Sequence, residues 1–540
     1  MQLIEDTLGQ FGRYQAFVYF LLCLPFAISG IEVILFNFTG GVPKTRCFLP
    51  GIDNADSPSF NATATKNYYA PPKAQYGQNQ LCYYCPQLLR GAEGNCTEET
   101  AVACDQGFIY SQDQYLYTLV TRFNLVCQYT WKRQVASSCY MFGFLVGAVS
   151  AGALSDRFGR RPVVLGYSII GILTYNLVIF VPNYALFCIL QIINGALSHG
   201  AYITAYVIVM ELFGGLPRTI AGVWVQGLFA IGLLYVGVCA YFLRDYRYLQ
   251  LAASIPAVFF LIYPKILEES IRWLIVHNRS EEGKKLLLKA AECNKRPVDE
   301  AKLDRSIAEE VAREREQSQK ADKATVLDLF RHKALAKVTL IICLTWYACG
   351  MSYYGLALNT SDLPGDDYAN FFLASAVELI AFVLVIPMLE RWGRRPTMVS
   401  TLGAGGVAVV ISALLPKSVS WLIVTLAMLG RIGVSGAFAV VYNYSAELFP
   451  TVARNSGIGI ASMCARIASL SSPLIYLLGP YVEPWLPFII YGAVAILAAA
   501  LDMFLPETLN KPLPDTIEEG IQLASSRKTR PVEDTKTTKF

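Results

Sequence analysis

Three charged residues sit where charge is expensive. Arg466 lies in SMCARIASL, Glu378 in ASAVELIAF and Glu32 in ISGIEVILF, each inside a long apolar run. A charge at hydrocarbon depth costs about 2.5–3.5 kcal/mol on insertion scales, so each is a candidate for contact with a polar cargo. A guanidinium grips a carboxylate through two parallel hydrogen bonds, and a fixed carboxylate suits an ammonium group. Arg466 and Glu32 together therefore suggest a zwitterion held at both ends. A competing expectation pairs Arg466 with Glu378 for helix packing. Aromatic residues in neighbouring runs, namely Tyr202, Tyr206, Phe229, Trp346, Tyr353, Tyr354, Phe438 and Tyr442, can box an organic ammonium by cation–π contact or stack on a flat body. Gln191 and Gln226 offer uncharged hydrogen bonds to cargo or to a neighbouring helix.

The elements that carry these residues are membrane spans. Of 540 residues, 16% are charged and 54% hydrophobic, and mean hydropathy is +0.40. A soluble domain carries about 25% charge. The apolar runs are about 20 residues long, the length that crosses ~30 Å of hydrocarbon as a helix and too long for barrel strands. Six runs are expected near 14–37, 136–155, 162–182, 185–212, 219–242 and 249–267. Six more are expected near 336–358, 368–389, 397–415, 419–446, 456–478 and 484–505. The fold class is an all-α polytopic membrane protein of two six-helix bundles related by pseudo-two-fold symmetry. Residues 1–38 hold the N-terminus and first helix, 39–131 an external loop, and 132–267 the rest of the first bundle. A central loop follows at 268–335, then the second bundle at 336–505 and a polar tail at 506–540.

Lys and Arg favour the cytosolic side of a span. Arg157, Arg160 and Arg161, their counterparts Arg391, Arg394 and Arg395, and the basic central loop all fall in the cytosol if both termini do. The 39–131 loop then faces outside. It carries six of the 14 cysteines: Cys47, Cys82, Cys85, Cys96, Cys104 and Cys127. Six cysteines in an oxidising compartment imply up to three disulfides, with 15 connectivities open. Asn61-Ala62-Thr63 and Asn95-Cys96-Thr97 are glycosylation sequons there, whereas Asn278-Arg279-Ser280 should face the cytosol and stay bare. The stretch 299–324 alternates charge at helical spacing, as a solvated helix does. The chain ends Thr538-Lys539-Phe540, a carboxylate tail of the kind PDZ domains capture.

The chain also repeats itself. DRFGRR at 156–161 follows the second span and RWGRR at 391–395 follows the eighth. Acidic residues recur after spans 4, 6, 10 and 12: Glu211, Glu268, Glu447 and Glu507. Repeated halves are a transporter signature, with the substrate site between them at the bilayer midplane. These loops resemble the major facilitator superfamily. The cysteine-rich loop, AELFPTVARNSGIG at 446–459 and LPETLNKPLPDTIEE at 505–519 resemble its organic cation, anion and zwitterion (carnitine) transporter family along nearly the whole chain. That resemblance implies gating clusters of Asp156, Arg157, Arg160, Glu211, Glu268, Glu390, Arg394, Glu447, Arg454 and Glu507 that latch the cytosolic side. It implies that Arg466 selects carboxylate over cation. It also implies that Phe382, where dicarboxylate exchangers look to have a lysine, disfavours dianions.

The expected function is a plasma-membrane secondary transporter of small organic ions working by alternating access, first a zwitterion such as carnitine or an amino-acid derivative. Organic anion transport and organic cation transport are the alternatives, and a non-transporting ligand sensor is the alternative of another class. No GxxxxGK[ST] loop points to an ATP-driven pump, and His199, His277 and His332 form no metal set, so neither enzyme chemistry nor a metal is expected. No cofactor or nucleic acid is expected, sodium coupling is left open, and the transport unit is taken as a monomer in the lipid bilayer.

Overall fold

The computed structural model describes residues 2–53, 60, 68–69, 80–89, 96–97, 100–277, 279–321, 328–360, 363–511, 514 and 516–525. Asn61, Asn95, Asn278 and the PDZ-type tail lie outside the described residues.

Twelve apolar helical segments form among the described residues. The first bundle contains α1 (Arg13–Thr39), α2 (Thr130–Phe158), α3 (Arg160–Leu177), α4 (Tyr184–Leu212) and α5 (Gly215–Phe242). Its sixth segment, α6, spans Tyr246–Ile266 and is broken. Pro256 cannot donate to the helical ladder, so Tyr246–Ser254 gives way to a 3₁₀ stretch at Pro256–Leu261 before Tyr263–Ile266. The second bundle contains α7 (Lys333–Leu358), α8 (Asp367–Arg391), α9 (Arg394–Leu414), α10 (Ser420–Leu448), α11 (Arg454–Tyr476) and α12 (Leu486–Asp502). Helix starts are capped where the sequence offers an acceptor: Asn183, Asp245, Asp366 and Ser270 each accept from the backbone N–H of the first turn. Large apolar side chains on the outer faces, such as Leu173, Phe180, Phe242, Leu340 and Trp421, are exposed, as a lipid-facing belt requires.

The bundles meet along two seams, α2 against α11 and α5 against α8. At the end bearing the cysteine-rich loop they are bonded together. Asn37 Nδ2 donates to Ala357 O at 2.8 Å, and Ser138 Oγ to Leu470 O at 3.2 Å. The Tyr115 hydroxyl reaches Asp367 Oδ2 at 3.3 Å, and the Tyr368 hydroxyl reaches Gln114 O at 3.3 Å. Phe38 stacks on Tyr368 with centroids 5.6 Å apart.

The loop itself is a small β lobe. Strand β1 (Thr45–Cys47) pairs in parallel with β2 (Gln80–Leu81) and antiparallel with β5 (Phe108–Tyr110). Strands β3 (Tyr83–Tyr84) and β4 (Val102–Ala103) form a second, antiparallel pair. Three disulfides close it: Cys47–Cys104, Cys82–Cys127 and Cys85–Cys96. The second ties the lobe to the root of α2. Arg46, 1% exposed, forks onto Asp53 with both contacts at 2.6 Å.

At the opposite end, Glu300–Ala321 is helical as expected, but it is not solvated all round: Leu303 and Ile307 are buried against the core. Asn294 clamps the chain start against the central loop: its Oδ1 accepts from Tyr14 N, and its Nδ2 donates to Leu8 O and Gln15 Oε1.

Candidate functional site: a central chamber between two bundles

The two halves build the same ring at the end away from the β lobe. In the first bundle Arg160 Nη2 meets Glu211 Oε1 at 3.2 Å. Glu269 Oε1 accepts from the backbone N–H groups of Arg160 and Arg161, at 2.9 and 3.1 Å, and Ser270 Oγ donates to Glu211 Oε2 at 2.5 Å. In the second bundle Arg394 Nη2 meets Glu447 Oε1 at 2.8 Å. Glu507 accepts from the N–H groups of Arg394 and Arg395, at 2.9 and 3.0 Å, and Thr508 Oγ1 donates to Glu447 Oε2 at 2.5 Å. Each carboxylate caps the exposed N–H groups and positive dipole end of α3 or α9. Gly159 (φ +105°) and Gly393 (φ +94°) make this approach possible. Both sit in the left-handed region, and a Cβ there would fall 2.3 Å from Glu269 Oε2 or 2.8 Å from Glu507.

This arrangement corrects the expected gating set in three ways. First, Glu268 is not in the ring. It takes Lys289 at 2.5 Å and the Tyr14 hydroxyl, and Glu269 fills the place expected for it. Second, in this conformation, which is bonded together at the β-lobe end, each ring ties helices of its own bundle. Third, Asp156 pairs with Arg160 along its own chain turn at 3.0 Å, and Arg157 lies over the Phe158 ring; neither bridges the bundles. Glu390 is exposed, and Arg454 bonds to Phe449 O and Thr451 Oγ1 at the start of α11.

Between the bundles, at the depth of the mid-helices, lies a chamber; the space not filled by atoms in it and at its open mouth is about 660 Å³. Its wall takes Tyr202 from α4, Gln226 and Phe229 from α5, and Tyr353 and Tyr354 from α7. Glu378 comes from α8, Phe438 and Tyr442 from α10, and Arg466 from α11. Nine of the expected residues thus share one space. The rings form a connected box: Tyr353–Tyr354 centroids are 5.2 Å apart, Tyr353–Phe438 5.6 Å and Phe438–Tyr442 5.9 Å. Trp346 stands behind this wall. It is fully buried, donates Nε1–H to Ser445 Oγ at 2.8 Å and buttresses Tyr442 at 4.4 Å. Tyr206 stands one ring out, 6.3 Å from Tyr442.

Glu32 is elsewhere. It opens on a second space of about 300 Å³, inside the first bundle, lined by Tyr167, Ser168, Ser198 and Phe260. Ser29, one turn before Glu32, borders both spaces. Glu32 and Arg466 facing each other across one chamber is therefore not the geometry found. The expected Arg466–Glu378 pairing is absent as well. Glu378 Oε2 instead accepts from Arg431 Nη2 at 2.8 Å, and Oε1 from the Tyr353 hydroxyl at 2.6 Å. Arg466 Nη1 donates to Ser462 O one turn back at 2.6 Å, and its Nε has no partner among the described residues. The wall also contains residues the sequence reading passed over. His199 is stacked between Phe144 (4.3 Å) and Tyr202 (5.8 Å), and Ser435 and Ser469 add hydroxyls. Arg431 was also passed over, although a lone arginine in AMLGRIGVSG meets the same rule that singled out Arg466.

The likeness to known proteins agrees with this architecture. The family described as "Sugar (and other) transporter" matches residues 97–519. The chain is 35% identical to the "Organic cation transporter protein" of Drosophila melanogaster, over 95% of this chain and 93% of that one. It is 33% identical to the "Organic cation/carnitine transporter 2" of Homo sapiens, covering 96% and 94%. It is 32% identical to "Solute carrier family 22 member 6" of Pseudopleuronectes americanus, covering 98% and 96%. This chain belongs to solute carrier family 22 of the major facilitator superfamily. Among solved structures, the proton:xylose symporter XylE bound to 6-bromo-6-deoxy-D-glucose superposes with a TM-score of 0.60, over 94% of this chain and 98% of that one. At 16% identity that likeness speaks to fold alone. As a solute carrier family 22 protein, the chain is a multi-pass membrane transporter of the organic cation/carnitine type, not an enzyme.

Proposed function

We propose that this carrier moves small organic ions bearing one carboxylate, with carnitine-like zwitterions first. It would sit in the plasma membrane with the β lobe outside and both termini in the cytosol. The observation that carries the reading is the Arg466 guanidinium on the chamber wall, which pairs with no carboxylate among the described residues. Glu378 is already occupied by Arg431 and Tyr353, so a cargo meets one uncompensated guanidinium within a box of rings. The guanidinium takes the carboxylate, and the ring faces of Tyr353, Tyr354, Phe438 and Tyr442 take a trimethylammonium or an apolar body. Organic monoanions are the second reading, favoured by the separation of Glu32 from the chamber. A simple organic cation is the poorest match to this charge balance.

The seam supports a reading of alternating access. The bundles are held together at the β-lobe end in this conformation, and those contacts must part for cargo to enter there. The paired rings preserve the shape of each bundle as the bundles move.

The test is uptake by the full-length protein of labelled carnitine, an aryl monocarboxylate and tetraethylammonium, with external sodium replaced by choline in a parallel arm. Carnitine or the monocarboxylate should accumulate and tetraethylammonium should not. Tetraethylammonium uptake alone would overturn the proposal, and saturable binding without flux would mark a sensor. The choline arm reads the driving force.

A further inference from the structure

An ion pair between Glu378, on the chamber wall, and Arg431 joins α8 to α10. Glu378 is 1% exposed and each of its oxygens is taken, one by the Tyr353 hydroxyl and one by Arg431. Arg431, brought in by α10, is 5% exposed and lies 5.4 Å from the Tyr353 ring centroid. Its Nε and Nη1 have no partner among the described residues. The guanidinium thus keeps unpartnered N–H groups, while each oxygen of the carboxylate already accepts one hydrogen bond.

We infer that Arg431 is a specificity-determining residue: by neutralising Glu378 it withdraws the chamber's own carboxylate from organic ammonium groups and leaves Arg466 as the charge a cargo meets. This rests on the carboxylate-grip reading of Arg466 and deepens it. With the pair intact, Glu378, Arg431 and Arg466 sum to a single positive charge. Without Arg431 the chamber holds one acid and one base, which admits an ammonium. Without Glu378 it holds two guanidinium groups, which suits a dicarboxylate. Phe382, one turn after Glu378 on the same wall, adds no charge that would mask either change. A pair kept only for packing predicts loss of folded protein from either change and no redirection of cargo.

The experiment measures uptake of three probes by the full chain, normalised to surface protein: an aryl monocarboxylate, tetraethylammonium and glutarate. Arg431→Gln should raise the tetraethylammonium-to-monocarboxylate ratio by roughly tenfold or more, the scale of an exposed charge partner. Glu378→Gln should raise the glutarate-to-monocarboxylate ratio instead. The double variant should return both ratios to those of the starting protein, whatever its overall rate. Tyr353→Phe frees one oxygen of Glu378 without stranding a charge, so it keeps the test open if Arg431→Gln fails to reach the membrane. It should move the ammonium ratio in the same direction by roughly threefold. Unchanged ratios in Tyr353→Phe and in every single variant that reaches the surface overturn the inference. Arg466→Asp separates the two layers. If it spares monocarboxylate uptake, the underlying reading fails; if it abolishes that uptake while the ratios stay fixed, only the role of Arg431 fails.

Discussion

The two bundles are near copies at one depth and strangers at another. Toward the termini, Arg160, Glu211, Glu269 and Ser270 are repeated as Arg394, Glu447, Glu507 and Thr508, down to the left-handed glycine that lets each carboxylate approach. At mid-membrane the resemblance ends. The second bundle places Glu378, Arg431 and Arg466 within or against the chamber, whereas the first bundle's carboxylate, Glu32, opens on a separate space among hydroxyls. On the proposed function, the symmetric residues are scaffold and the asymmetric ones carry selectivity.

The most damaging test of this division is Arg466→Asp. Reversing the uncompensated charge should lower carboxylate uptake by roughly 30-fold or more, the counterpart of about 2–5 kcal/mol. A loss of under threefold at normal surface expression would return Arg466 to the scaffold. Next come Glu269→Gln and Glu507→Gln. Each weakens the cap on two backbone N–H groups and should destabilise the purified carrier by about 1–3 kcal/mol. The informative result is equality: matched falls in Tm support two equivalent rings, and a clearly lopsided pair breaks the symmetry argument. Glu32→Gln should change the KM for a monocarboxylate by less than about threefold, because its side chain lies outside the chamber. A selective tenfold rise for carnitine would place Glu32 at the ammonium after all. Smallest of all, Glu268→Gln should cost less than about 1 kcal/mol, since its bond to the largely exposed Lys289 is solvent-screened. A Tm fall as large as that of Glu269→Gln would mean the ring assignment is off by one residue.

How much was legible in the sequence varied with the kind of signal. Twelve spans and two halves followed from run length and the repeated GRR loops, since lipid dictates both. Arg466 and the aromatic box followed from the cost of placing such residues in a span. The disulfide pairing did not, because six cysteines admit many closures until the strands of the lobe are paired. Glu268 and Glu269 are adjacent acids after a broken helix, and spacing alone cannot say which turns toward α3. Glu32 was assigned to the wrong space because depth along a helix is readable and rotational facing is much less so. Arg431 was readable but passed over, as was Asp502, a fully buried acid that accepts from Thr345 Oγ1 at 2.6 Å.

The bonds from Gln114 and Tyr115 to α8 have a pharmacological consequence. They fasten the cystine-stapled lobe, which is rooted in the first bundle, to the rim of the second. An antibody fragment clasping that lobe and rim together would hold the carrier shut without entering its chamber. Cargo that enters from the lobe end would oppose its binding through the conformational equilibrium, and its affinity would report which way the carrier faces.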